Sequence, residues 1–598
     1  MRRALRSLAL SLAIAGVAAC GGGQTRGTPF DPGWQDDHGA AMAAFARTFG
    51  GARVHAGADV AVGVVGNKAL VGIALDGGST WRFEHELHGR PAVAGSVVVA
   101  AGGGELFALD ARTGSLLWSR ASGGRIRGAG DDGTTTVVSL IPTTGLGSLV
   151  LAIARDGSIV RQIEDEAAIG VPAIAGDSVF LPWQGRFLSV YDLPSGEERA
   201  RVDLHAHTSR VFVVGGALYA GEVSATRFDE RIAQAEGRGA TTIRLPKPMG
   251  GMPGDPLWMR PGTDWVNREA DALDKVRLYA RPAAQGAAVF GDRFAATYFR
   301  VALGFDAKTG AIAWAHAHDA DLLGGAAYAG GFALCDAKGS VTFLDGKSGA
   351  VTGQIALGQP VDACLVQADA FVPKAAAAAT RGLADQLAEI VLVPEAELTT
   401  LQQALLRELA RLDDERATKA LLDLASSDRT APPLLADARA ALAARRTGAS
   451  FMLEALARRY DHLAGVRRAP PVGPLADALA TIGEKRAAPL LAAHLGDPVS
   501  TSDDVKRAAA ALVTLAGPSE APAIEAFFAH YRAVEAPEVD EAVQAAVVSA
   551  AEALLRLGVR DPVAAAVSDP ITRPALKEKL VALFAPKAAG GAGPTKGK

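Results

Sequence analysis

Two histidine pairs are the first residues whose types and spacing could do chemistry. His205-Ala206-His207 and His316-Ala317-His318 each place two imidazoles at i and i+2. On a strand those positions share a face, so each pair offers two nitrogen ligands to one metal ion. The pairs stand at different offsets from the preceding turn glycines, 9 and 11 residues after Gly196 but 6 and 8 after Gly310. They are not copies of one site, and they read as polar-face histidines near loops. His85-Glu86-Leu87-His88 lacks the spacing of the helical zinc motif H-E-x-x-H. Gly346-Lys347-Ser348 lacks the glycine that opens a phosphate-binding loop, and no G-x-S-x-G elbow occurs. Three cysteines, Cys20, Cys335 and Cys364, exclude a four-cysteine metal or iron–sulfur site and a disulfide scaffold. Cys335, within Phe332-Ala-Leu-Cys-Asp-Ala337, reads as a small buried hydrophobe. The expectation is no catalytic, cofactor-binding or metal site.

Composition sets the frame around this thin inventory. The chain has 598 residues, 49% hydrophobic and 21% charged, which excludes wholesale disorder. Its 61 Lys plus Arg nearly balance 65 Asp plus Glu, so it is not a nucleic-acid binder acting through bulk charge. Residues 1–19 read as a lipoprotein signal peptide. Arg2, Arg3 and Arg6 form a basic start, and Leu8 to Val17 form an apolar run too short to span a bilayer. The run ends Val17-Ala18-Ala19-Cys20, which looks like a bacterial lipobox with Cys20 as the acylated residue, and a glycine tether, Gly21-Gly22-Gly23, follows. Cleavage before Cys20 leaves 579 residues carrying a net charge of −7. No later run of 18 apolar residues lacks a charge, so acyl chains at Cys20 are the expected anchor. Gly21 in second place resembles the signal for outer-membrane sorting, so the expected location is the outer membrane, facing the periplasm.

Two halves with different periodicities follow a linker at 20–50. Residues 51–374 are β-like. The clearest unit, 96–120, reads as a strand, a glycine turn, a second strand ending at Asp110, a tight turn through Thr113-Gly114 and a third strand carrying Trp118. A near copy at 293–317 has Gly310 and Trp314 at the same offset of four, and weaker copies surround Gly78, Gly157, Gly196 and Gly349. The spacings of 36, 43, 39 and 39 residues, with about four strands per unit, predict a seven- or eight-bladed β-propeller. The turn glycine supplies positive φ, and the Trp is expected between neighbouring blades, where one sheet cannot bury its face alone. Leu106-Phe-Ala-Leu-Asp-Ala-Arg-Thr-Gly-Ser-Leu-Leu-Trp118 and Gly304-Phe-Asp-Ala-Lys-Thr-Gly-Ala-Ile-Ala-Trp314 resemble the repeat of quinoprotein-like propellers. That group is shared by quinone-dependent alcohol dehydrogenases and by the propeller lipoprotein of the outer-membrane β-barrel assembly machinery. In the dehydrogenases the resemblance implies a quinone resting on a disulfide of adjacent cysteines, above a calcium ion. Cys335 and Cys364 lie 29 residues apart, and no C-x-x-C-H haem motif occurs.

Residues 375–586 switch to a 3.6-residue period. Segments 474–498, 503–517 and 521–534 read as amphipathic helices, and inter-helix glycines recur at 448, 483, 517 and 558. This looks like an α-solenoid of HEAT type, so the fold class is a multidomain β + α chain. The assembly lipoprotein of the resemblance is a propeller only, and the helical half departs from it. The tail at 587–598 reads as disordered.

The period breaks within 229–283. There a Pro- and Gly-rich stretch concentrates Met249, Met252, Trp258, Met259 and Trp265, half of the chain's six methionines among them. Met and Trp are over-used at adaptable contact surfaces, so this is the candidate partner-binding loop. The reading reached is a non-enzymatic, membrane-anchored periplasmic scaffold for other envelope proteins, without cofactor or nucleic acid. The resemblance implies a role in outer-membrane or envelope assembly. The alternatives are a quinone-dependent oxidoreductase and a carbohydrate- or cell-wall-binding propeller.

Overall fold

The computed structural model describes residues 29–31, 33, 57–203, 293–306, 309, 311–328, 330–368, 370–374, 381–458, 468–533 and 541–584. It also describes strands Val211–Val214, Ala217–Ala220, Ser224–Arg227, Thr242–Arg244 and Arg277–Tyr279. Among the described residues, short Val- and Ala-rich runs separated by turns form seven four-stranded antiparallel sheets. Blade 1 joins Ala363–Gln367 to Val60–Val65, Ala69–Ala74 and Trp81–Glu84, so the two ends of the β region share one sheet. Blade 2 spans Ala92 to Ala121, blade 3 Gly124 to Asp165, blade 4 Ala173 to Asp203, blade 5 Val211 to Arg244, blade 6 Arg277 to Ala317 and blade 7 Leu322 to Ala356. The first strand of each sheet is innermost. The innermost strands of blades 6, 7, 1, 2, 3, 4 and 5 touch one another in that order. The interval between Gly196 and Gly310 therefore holds the whole of blade 5 and the start of blade 6. Strands Thr242–Arg244 and Arg277–Tyr279 fall inside 229–283.

The repeated turn has a local chemical cause. Asp110 Oδ1 accepts from the backbone N–H of Arg112 and Thr113, and the Gly114 N–H donates to the Asp110 carbonyl. Asp345 repeats the pattern with Lys347, Ser348 and Gly349. Gly114 and Gly349 sit at φ 71° and 67°. Side-chain capping by Asp and a left-handed glycine close the hairpin. Each glycine also serves its neighbour. A Cβ on Gly114 would stand 2.6 Å from the Trp81 ring of blade 1, and one on Gly349 would stand 2.7 Å from the Trp314 ring of blade 6. The Trp of one blade therefore lies on the turn of the next, and Trp81 and Trp314 donate to the carbonyls of Ala111 and Gly346.

Beyond the propeller come twelve α-helices among the described residues. They are α1 (Leu383–Val391), α2 (Thr399–Arg411), α3 (Glu415–Ser426), α4 (Pro432–Ala443), α5 (Ala449–Ala457) and α6 (Val472–Ile482). Then follow α7 (Ala488–His494), α8 (Ser502–Leu515), α9 (Ala521–Tyr531), α10 (Glu541–Arg556), α11 (Asp561–Ser568) and α12 (Pro574–Phe584). Helices α2, α4, α6, α8 and α10 pack in succession as one layer, and α3, α5, α7 and α9 form a second. Gly448, Gly483, Gly517 and Gly558 each stand between a first-layer helix and the next helix. Each helix has a leucine- and alanine-rich face, and stacking neighbours buries those faces in one continuous core. Within the first layer, Arg439 of α4 pairs with Asp504 of α8 at 2.6 Å, and Asp504 also accepts from Gly473 of α6 at 2.7 Å.

Candidate protein-docking surfaces

The two halves meet through packing rather than through a slack linker. Strand Ile312–Ala317 of blade 6 sends Trp314 towards blade 7, while helix α1 lies along the same strand. Gln386 of α1 bridges them: its Oε1 accepts from Ala315 N at 2.9 Å, and its Nε2 donates to the Ser348 carbonyl at 3.2 Å. Arg300 pairs with Glu395 at 2.5 Å. Phe305, Leu303 and Ile312 of blade 6 belong to the same hydrophobic cluster as Leu387 and Leu405. The propeller and the helical array are therefore held together by this packed joint.

His316 and His318 sit at this joint, with ring centroids 4.8 Å apart and planes nearly perpendicular. Burial pushes His318 down to about 3, and the neighbouring His316 adds to the shift. Burial also lowers His316, against the pull of Glu389 on α1. The described residues contain no cluster of three or more His, Cys, Asp or Glu placed to hold a metal ion. His318 is a neutral buried ring whose Nε2 finds no partner. An unfolded chain takes a proton on this side chain near pH 6.5 that the folded chain refuses. Its contribution to stability is therefore complete above about pH 6.5 and is lost as pH falls towards about 3. His318→Gln should flatten the fall of the denaturation midpoint across that window. An unchanged slope would show that the imidazole is not held neutral.

A second feature is an open groove of about 580 Å³ between α3, α5 and the segment at Arg468. Lys419 and Asp423 form an ion pair at 2.7 Å on one wall, Phe451 supplies an apolar patch, and Arg468 reaches in from another. Mixed charge beside one aromatic suits a polypeptide surface better than a concentrated anion.

The structure redistributes the residues singled out by sequence. Cys20, His205, His207, Met249, Met252, Trp258, Met259 and Trp265 lie outside the described residues. His85 packs against Phe107, with ring centroids 4.5 Å apart, and His88 reaches Glu86 at 3.2 Å, so His85 and His88 face different neighbours. Cys335 is fully buried, but it is not a lone hydrophobe: it is bonded to Cys364. That bond links the second strand of blade 7 to the innermost strand of blade 1. Both cysteines are enclosed by the seam, and they are not neighbours in the chain. The pair does not offer the adjacent-cysteine platform of a bound quinone, and the residues do not fit that cofactor.

Residues 67–240 match the model of the family described as "Outer membrane protein assembly factor BamB". The match runs from the second strand of blade 1 to the third of blade 5. BamB from Moraxella catarrhalis is 18% identical, over 51% of this chain and 85% of that one, with a TM-score of 0.29. The computationally designed Ika8 protein is 11% identical, over 53% and 90%, with a TM-score of 0.31. Hsv2 from Kluyvelomyces marxianus is 8% identical, over 42% and 73%, with a TM-score of 0.26. At TM-scores this low none of these likenesses adds to the fold described above. No curated protein matches the chain significantly.

Proposed function

We propose that this chain is a lipid-anchored scaffold of the bacterial envelope that binds other proteins and catalyses no reaction itself. The observation that carries this reading is the family match over residues 67–240, whose description is that of an outer-membrane assembly factor. The fixed joint between blade 6 and α1 supports it, because a scaffold needs two surfaces held at one geometry. The buried Cys335–Cys364 bond fits an oxidising compartment such as the periplasm. In this reading Cys20 carries the acyl chains, the outer membrane is the site, and the helical array is a HEAT-like repeat. Partners dock on the 249–265 loop, where Met and Trp supply adaptable contact area.

Replacing 249–265 with a short Gly-Ser linker tests the loop. Crosslinked envelope partners should be lost while the melting temperature hardly moves. A lower melting temperature, with partners lost only through unfolding, would make those side chains part of the propeller core. Retained partners and retained stability would remove the loop from the proposal.

A further inference from the structure

Blades 1, 2 and 6 place Trp81, Trp118 and Trp314 against the turn glycine of the following blade. Blades 3, 4 and 7 lack that Trp, with Arg161, Ala200 and Gly353 four residues after their turn glycines; at blade 3 the gap is filled from elsewhere. Its residue at the Trp offset, four after Gly157, is Arg161, which lies over Gly196 of blade 4 and donates to the Leu193 carbonyl at 3.1 Å. The seam between blades 3 and 4 instead receives an aromatic from far upstream. Phe30, thirty residues before the first strand, is only 4% exposed and belongs to the cluster of Val150, Ile169, Trp183 and Tyr191. It meets Trp183 edge-on at 5.6 Å between ring centroids and Tyr191 at 5.8 Å. Its φ is 52°, a conformation a Phe adopts only when its surroundings hold it there. Gly33 N–H donates to Asp31 Oδ1 at 2.9 Å and closes the turn beside it.

We propose that Phe30 pins the N-terminal tether into the seam of blades 3 and 4 and so makes that seam the membrane-facing edge of the propeller. This rests on the reading that Cys20 is acylated. Ten residues separate Cys20 from Phe30. Fully extended, they reach about 35 Å, so the seam cannot move further than that from the bilayer surface. Ring order places blade 7 opposite this seam, with blade 6 and its helical array beside blade 7. The array is thereby turned away from the lipid and towards the periplasmic space. The outer strand of blade 3 fits a lipid surface. Ile163 packs on the Phe30 cluster, while Ile159 and Val160 of the same strand are each 41% exposed. Two apolar side chains on an open sheet edge next to the tether can rest at the headgroup boundary of the membrane that holds the acyl chains.

The test uses the full acylated chain in phospholipid vesicles that contain a nitroxide-headgroup lipid as quencher. A fluorophore is attached through Gln162→Cys on blade 3 or Lys347→Cys on blade 7. The blade 3 label should be quenched severalfold more strongly than the blade 7 label. Phe30→Ala should keep the protein on the vesicles and abolish that difference. A Gly-Ser insertion of about twenty residues after Gly23 should abolish it too, without touching the propeller, which covers the case in which Phe30→Ala misfolds. Equal quenching of the two labels, or a difference that survives the insertion, overturns the proposal. A mass spectrum showing no acyl group at Cys20 overturns the anchor and this orientation together. An acylated but symmetrically quenched protein overturns the orientation alone.

Discussion

Trp314→Ala is expected to lower the stability of the propeller by about 3–5 kcal/mol, the range for deleting a large buried aromatic. Trp314 is fully buried and packed between two glycines. A Cβ on Gly304 of its own blade would stand 2.0 Å from the ring, and one on Gly349 of blade 7 would stand 2.7 Å away. The two glycines have no side chain to fill the space the ring leaves, and the Gly346 carbonyl loses its donor. The same strand carries helix α1, so the loss should reach the helical array as well. Trp118→Ala should cost less. Trp118 is 4% exposed, and its Nε1 has no partner to lose. The check is the denaturation midpoint of each variant by near-ultraviolet circular dichroism. A Trp314→Ala protein that unfolds with the wild type would sink the interlock between blades 6 and 7.

Breaking the Cys335–Cys364 bond is the second large effect. The bond closes a loop of 29 residues, for which the chain-entropy account gives about 3–4 kcal/mol. Its position adds to its weight. Strand Ala363–Gln367 is the last of the propeller and pairs with Val60–Val65 at the far end of the β region. The ring is otherwise closed by that ladder and by contacts such as Asp362 accepting from Gly66 N at 2.6 Å and Gln367 donating to the Gly95 carbonyl at 2.6 Å. The bond ties this closing strand to blade 7. Dithiothreitol should therefore lower the denaturation midpoint of the wild type and leave that of the Cys335→Ala/Cys364→Ala variant unmoved, already at the lower value. A wild type indifferent to reductant would show that the two thiols are not joined.

Much of the architecture is legible in the sequence because it is local. The Asp-x-x-Thr-Gly turn needs only a carboxylate two and three residues before two backbone N–H groups and a glycine at positive φ, as at Asp110 to Gly114. The Trp four residues later follows from the strand that the turn releases. The helical half is legible for the same reason, since a 3.6-residue apolar period and glycines at 448, 483, 517 and 558 are properties of short windows. Reading by period is weakest where copies diverge. Between Gly196 and Gly310 the spacing left the number of blades open, and the strands there carry no Trp to mark them.

By itself, then, the sequence determined a turn-punctuated β region followed by stacked helices, because each rests on contacts within a few residues. The tertiary structure alone decided what depends on partners distant in the chain. Cys335 looked like an isolated hydrophobe because its partner stands on a strand whose place is set by ring closure, 29 residues on. The copy around Gly157 carries Arg161 where others carry Trp, and nothing near it points to Phe30, which is 131 residues earlier and lies in the seam of blades 3 and 4. His316 and His318 read as polar-face histidines near a loop, whereas α1 lies along that strand and burial holds the ring of His318 neutral. In each case the deciding energy is burial at a seam between elements, and no window of sequence contains both sides of a seam.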